Sequence, residues 1–78
     1  MAQVNLYASA RAALGQSQVE LSAENLGELV EALGVKNEKL AKLLPTCTYL
    51  LNGIACEDMG REIFQSDQID VLPQFAGG

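Results

Sequence analysis

Apolar and polar positions alternate at the start of the chain: Gln3-Val4-Asn5-Leu6-Tyr7-Ala8 places Val4, Leu6 and Ala8 on one face. Ser17-Gln18-Val19-Glu20-Leu21 repeats the period, with Val19 and Leu21 inward, so two strands are predicted. The intervening Ser9-Ala10-Arg11-Ala12-Ala13-Leu14-Gly15-Gln16 offers one helical turn capped by Gly15. It is too short for an independent helix, and a hairpin with a wide connection is the economical reading. The period then changes. Leu26, Leu29, Val30 and Leu33 recur at helical spacing, Ser22 stands as an N-cap with Glu24 in the first turn, and Gly34 follows the last apolar position as a C-cap.

A second, shorter pattern from Val35 to Leu44 groups Leu40, Leu43 and Leu44 and ends at Pro45. Its lysines, Lys36, Lys39 and Lys42, read as a solvated face, as do the glutamates of the first helix. Thr48-Tyr49-Leu50-Leu51 and Ile54-Ala55-Cys56 flank Asn52-Gly53, the dipeptide preferred in a type I′ turn, and predict a hairpin. After an irregular stretch from Glu57 to Phe64, Ser66-Asp67 turns the chain into a last strand, Gln68–Leu72, with Ile69 and Val71 facing one way. Pro73 stops further pairing. The predicted order is two strands, a long helix, a short helix, then three strands. It indicates an α+β fold: a mixed sheet of about five strands packed on one main helix, as in the ubiquitin-like β-grasp. Order alone names no function. A domain over residues 1–73 and a flexible C-terminal tail over 74–78 are expected.

Composition narrows the possibilities. Seventy-eight residues, 49% hydrophobic and 19% charged, suit one small globular core. A formal net charge of -5, from five basic and ten acidic residues, argues against nucleic acid or an anionic membrane as partner. No apolar run approaches the ~20 residues of a membrane span, and Met1-Ala2-Gln3-Val4-Asn5 lacks the regions of a signal peptide; a cytoplasmic location is expected. With Cys47 and Cys56 the only cysteines and no histidine, the chain lacks the ligands for a structural zinc or an iron-sulfur cluster, and no metal is expected. If Asn52-Gly53 is a two-residue turn, Cys56 faces Tyr49 and lies diagonally from Cys47 at about 7 to 8 Å. An unstrained disulfide needs a closer approach, so both thiols read as inert.

The ending Leu72-Pro73-Gln74-Phe75-Ala76-Gly77-Gly78 carries the one feature with chemistry beyond packing. Two terminal glycines arise by chance about once in two hundred chains at ~7% glycine usage. A mobile polar terminus is the plain reading of such an end. The sharper reading is steric: without Cβ atoms, a Gly-Gly end can thread a narrow channel and present its carboxylate to another protein's active site. A carboxylate must be activated before it accepts a nucleophile, for example as an acyl-adenylate. The chain has no Gly-rich phosphate loop with its lysine to bind ATP. The activating machinery therefore belongs to a partner.

In element order, in "ASARAALG" after the first strand, in the Leu26 to Gly34 helix and in "SDQIDVLPQFAGG", the chain resembles the small sulfur-carrier proteins of the MoaD and ThiS type. It is most similar to the small subunits of molybdopterin synthase. The family commonly has a Gly-Asp turn, a strand, a Pro-Pro pair and Gly-Gly; here the turn is Ser66-Asp67 and the pair is Pro73-Gln74. The resemblance implies that an E1-like adenylating enzyme of the MoeB type, using ATP, couples the Gly78 carboxylate to AMP. Sulfur from a persulfide then converts it to a thiocarboxylate. Gly78 would bear the sulfur, with Gly77 as its slim neighbour. In the molybdenum-cofactor branch the end enters the large synthase subunit, of the MoaE type, which does the chemistry on the pterin precursor. This chain would be the donor and bind no cofactor itself.

Leu72, Pro73, Phe75 and Ala76 are the accompanying partner-binding candidates. Leu72 and Pro73 are expected to direct the end away from the body. Phe75 has two readings, an anchor in a partner's groove or a residue packed back on its own sheet. A thiazole-forming carrier of thiamine synthesis and a ubiquitin-like modifier joined to lysines through Gly78 are the alternatives. An interaction domain with a merely flexible end is the plainest one.

Overall fold

The computed structural model describes residues 1–74. Among the described residues five strands form one mixed sheet in the order β2-β1-β5-β3-β4: β1 (Ala2–Leu6), β2 (Gln18–Leu21), β3 (Thr48–Leu51), β4 (Ile54–Ala55) and β5 (Gln68–Leu72). β1 pairs with β2 antiparallel and with β5 parallel, and β3 pairs antiparallel with both β5 and β4. The last of the described strands in sequence is thus the central one in space. The helices are α1 (Ala8–Leu14), α2 (Leu26–Lys36) and α3 (Glu38–Leu43), followed by a 3₁₀ turn over Leu44–Thr46. This is the α+β, ubiquitin-like β-grasp arrangement that the element order predicts.

The strand alternation is realised as read. Ala2, Val4 and Leu6 of β1, Ile69 and Val71 of β5, and Tyr49 and Leu51 of β3 are buried on one face of the sheet. Leu26, Leu29 and Leu33 of α2 cover that face with Leu40 of α3 and Leu44. Full burial of side chains such as these stabilises by about 1.5–3 kcal/mol each, and they form one contiguous core between the helices and the sheet. Asn52 (φ 52°) and Gly53 (φ 86°) both lie at positive φ between β3 and β4, as a type I′ turn requires.

Four local expectations are corrected. Ala8 does not continue β1; it turns out of the strand at φ 52° and begins a two-turn helix where a wide connection was expected. That helix closes on Gly15, whose N–H bonds to the Arg11 carbonyl at 2.8 Å, and buries Ala10. A seven-residue helix is marginal alone, and packing against the core sustains it. Second, α2 is capped by Asn25, not Ser22: Asn25 Oδ1 accepts from Glu28 N–H at 2.8 Å, and Glu28 Oε1 accepts from Glu24 N–H at 3.1 Å. This reciprocal arrangement satisfies more free donors than a lone serine would.

Third, Gly34 is no C-cap. The helix runs on to Lys36, and Gly34 faces α3, where a Cβ would lie 3.5 Å from Ala41 Cβ. Fourth, the second helical segment does not run unbroken from Val35. Asn37, extended at φ -161°, ends α2 and caps α3 by accepting from Leu40 N–H at 3.0 Å. The irregular stretch after β4 also has a use. Met59 and Arg61 carbonyls accept from Gly27 N–H (2.8 Å) and Leu26 N–H (3.0 Å), capping the first turn of α2 from outside.

Candidate functional site

β5 delivers the chain to its end. Leu72 pairs with Thr48 as the last residue of the strand, Tyr7 N–H reaches the Val71 carbonyl at 3.3 Å, and β1 and β3 grip β5 from both sides. Leu72 is half-buried, Pro73 buried and Gln74 exposed. Phe75, Ala76, Gly77 and Gly78 lie outside the described residues. The structure thus brings Leu72 and Pro73 together at the end of the central strand, where a β-grasp body holds the start of whatever follows.

On the outward face of the sheet the direct partner of Leu72 is the exposed Thr48, and a half-buried Leu50 lies diagonally from it on β3, opposite Asp70. Sequence reading gave Leu50 no face, because the unbroken run Thr48-Tyr49-Leu50-Leu51 hides the alternation. Towards β1 the same face is polar: Asn5 Nδ2 donates to Asp70 Oδ1 at 2.9 Å, and Gln3 Nε2 donates to Asn5 Oδ1 at 3.0 Å. The diagonal pair Leu50 and Leu72, flanked by Thr48 and the satisfied amide–carboxylate row, can offer a partner's side chains a small apolar footing next to the end of β5.

The other end of β5 is fixed by Asp67, a buried carboxylate. It accepts from Phe64 N–H at 2.7 Å and from Asn52 Nδ2 at 2.8 Å, while Asn52 Oδ1 accepts from Gln68 N–H at 2.9 Å. The Phe64 N–H, then the Asn52 amide and, less strongly, the Arg61 charge hold the Asp67 carboxyl below its ordinary range against the opposing effect of burial. Asp67 therefore ties the β3–β4 turn to the first residue of β5. Sequence reading placed it in a turn, and its only further signal is the Ser66-Asp67 position in the family motif.

Cys47 and Cys56 are free and half-buried. Cys47 Sγ donates to the Leu43 carbonyl at 3.3 Å, and burial pushes its thiol pKa up, away from the reactive thiolate. Tyr49 donates its hydroxyl to the Leu44 carbonyl at 2.7 Å, and burial, followed by the neighbouring Cys47, raises its pKa as well. Among the described residues no group of three or more His, Cys, Asp or Glu side chains is placed to hold a metal, and no helix is long and apolar enough to cross a membrane.

Three solved structures of similar shape were compared. The small archaeal modifier protein 1 of Methanosarcina acetivorans is 24% identical with a TM-score of 0.88, over 99% of this chain and 95% of that one. A chain from the complex of subunits 1 and 2 of the molybdopterin-converting factor of Helicobacter pylori is 23% identical with a TM-score of 0.74, over 99% of this chain and 97% of that one. One from the BexX/CysO complex of Amycolatopsis orientalis is 18% identical with a TM-score of 0.80, over 100% of both chains. At these identities the likeness shows the fold. A comparison with the curated proteins gives no match. The family model described as the ThiS family matches residues 4–78, nearly the whole sequence and the glycine pair with it. With a β-grasp body and that match in hand, the chain belongs to the ThiS family of ubiquitin-like sulfur carriers.

Proposed function

We propose that this chain is the sulfur-donating small subunit of molybdopterin synthase, with residues 1–73 as its body and 74–78 as the part that partners handle. The observation that carries this reading is the extent of the family match, which runs through Gly77 and Gly78. The likeness to the Helicobacter pylori molybdopterin-converting factor, whose subunits 1 and 2 form a complex, supports the branch. An E1-like partner binds ATP and joins the Gly78 carboxylate to AMP, releasing pyrophosphate. The outer sulfur of a persulfide attacks the acyl carbon and AMP leaves. A thiol then cleaves the acyl disulfide, so that the two partner sulfurs end as a disulfide and Gly78 keeps a thiocarboxylate. The large synthase subunit takes that sulfur into the pterin. Gly77 keeps the end narrow, and Leu72, Pro73, Phe75 and Ala76 guide it into the partner. The chain is a co-substrate in the cytoplasm; it binds no cofactor, and catalysis resides in its partners.

The test is the intact mass of the full chain purified together with its activating enzyme and a sulfur source. A gain equal to exchange of one oxygen for sulfur, abolished by deleting Gly78, is expected; an unchanged mass would overturn the carrier reading. Capture of a molybdopterin-synthase large subunit supports this branch, whereas capture of a thiazole synthase assigns the chain to thiamine synthesis. A second reading, a modifier joined to lysines through Gly78, is favoured by the likeness to the small archaeal modifier protein 1. It requires a ladder of larger covalent species in cell extract that disappears with Gly78.

A further inference from the structure

On the side of the sheet that carries the helices, α2, α3 and the β3–β4 hairpin do not close on one another. They leave an open groove of about 740 Å³, within the range of sites that accommodate ligands. Its apolar wall is made by Val30, Gly34, Ala41, Leu44, Tyr49 and Met59, and the two thiols, Cys47 and Cys56, also line it. The polar groups of this wall are already engaged: the Tyr49 hydroxyl on Leu44, the Cys47 thiol on Leu43, and the Cys56 thiol directed at the Asp58 carbonyl at 3.7 Å. Among the described residues no buried side-chain nitrogen or oxygen lacks a partner, so apart from the exposed Thr48 hydroxyl at its rim the wall presents apolar surface. An occupant must meet it with apolar groups.

The rim is charged, and with one sign. Glu31 on α2 and Glu57 after β4 are the charged residues that line the groove, and both are exposed. None of the five basic residues lines it, although Arg61 lies in the same loop as Glu57. A chain of net charge -5 adds to the negative field at this mouth. An apolar trough between two carboxylates complements an amphipathic protein segment whose aliphatic side chains are flanked by Lys or Arg. A second copy of this acidic chain would bring like charge to the mouth.

We propose that this groove docks a basic amphipathic segment of a partner protein. It does so on the helix-bearing side of the sheet, where only Thr48 of its lining, the strand partner of Leu72, reaches the end of β5, so the chain can be held by its body while its end is engaged elsewhere. The proposal does not depend on which enzyme receives sulfur.

Isotope-labelled full-length chain titrated with a synthetic amphipathic Leu/Lys helical peptide provides the test, read by amide shifts and by the rate at which Cys47 and Cys56 react with a thiol reagent. Saturable shifts at Glu31, Gly34, Tyr49 and Cys56, with slowed modification of both thiols, are expected. A Glu31→Lys and Glu57→Lys double variant, its fold verified by its own amide spectrum, should bind about tenfold more weakly. Ala55→Leu, an exposed lining position that narrows the trough without touching the charges, should also weaken binding, its fold verified in the same way. The proposal is overturned if the peptide shifts map to the opposite sheet face or are absent. It fails equally if a Leu/Glu peptide, or a Lys-rich peptide without the leucines, gives the same groove shifts and thiol protection.

Discussion

At one edge of the sheet β2 is paired with β1 at four successive positions and buries Leu21; at the other, β4 is paired with β3 at two, and both its residues are exposed. The strands between, β1, β5 and β3, lie under α2 and α3. Apolar burial holds that centre. The β4 edge is held by polar contacts instead: Cys56 N–H on the Tyr49 carbonyl at 2.9 Å, Asn52 N–H on the Gln68 carbonyl at 2.8 Å, and the Asp67–Asn52 link. A small domain with a finite supply of apolar side chains has concentrated them at the centre, and a single carboxylate anchors the strand that burial does not reach.

The strongest way to break the centre is Leu29→Ala. Leu29 is fully buried, and its truncation should cost about 2–5 kcal/mol, read as a lower urea midpoint with protection lost throughout the sheet. Asp67→Ala is the matching lesion at the β4 edge. It leaves the Phe64 N–H and the Asn52 amide without their acceptor and should cost about 1–3 kcal/mol. Amide exchange should then accelerate first at Leu51 and Ile54–Cys56, while β1 and β5 stay protected; uniform loss would remove the distinction between edge and centre.

Acid should act as a graded form of the same lesion. The Asp67 carboxyl is held lower in the folded chain than in the unfolded one, so its contribution is present above the unfolded value of about 3.9 and is lost as pH falls through the folded value. Urea midpoints measured downward from pH 5 should fall less steeply in Asp67→Asn, which keeps an acceptor for the Phe64 N–H but carries no charge. Gly53→Ala is the mildest lesion, a cost of about 1 kcal/mol from forcing a side chain to φ 86°, since nothing lies within 4 Å of a Cβ there. Its exchange effects should stay within the hairpin.

The centre was legible in the sequence because its signals are local. Val4 and Leu6, Ile69 and Val71, and Leu26, Leu29 and Leu33 announce their faces by spacing alone, and Asn52-Gly53 announces its turn. The errors came where two local signals competed or where the reason lay elsewhere in the chain. Ser22 and Asn25 can each cap a helix, and the outcome depends on Glu28 returning the favour to Glu24 N–H. Gly34 has the look of a terminator, yet it is placed where α2 passes Ala41 closely. Asp67 reads as a turn residue because its partner Asn52 is fifteen positions upstream, in a different turn. The groove has no sequence signature, since its wall is assembled from α2, α3, β3 and the loop after β4. The site proposed at the glycine pair, outside the described residues, rests on the opposite kind of signal, residue type and order.

The central position of β5 has a consequence for synthesis. The β1–β2 hairpin and the β3–β4 hairpin touch no common neighbour in the sheet until Gln68–Leu72 inserts between them, parallel to one and antiparallel to the other. On the ribosome the sheet cannot close until those residues have cleared the exit tunnel, and a chain cut short before Gln68 has its two hairpins linked only through α2 and α3. Truncation just before Gln68 is therefore expected to cost the sheet its amide protection on both sides at once, β1 and β3 alike.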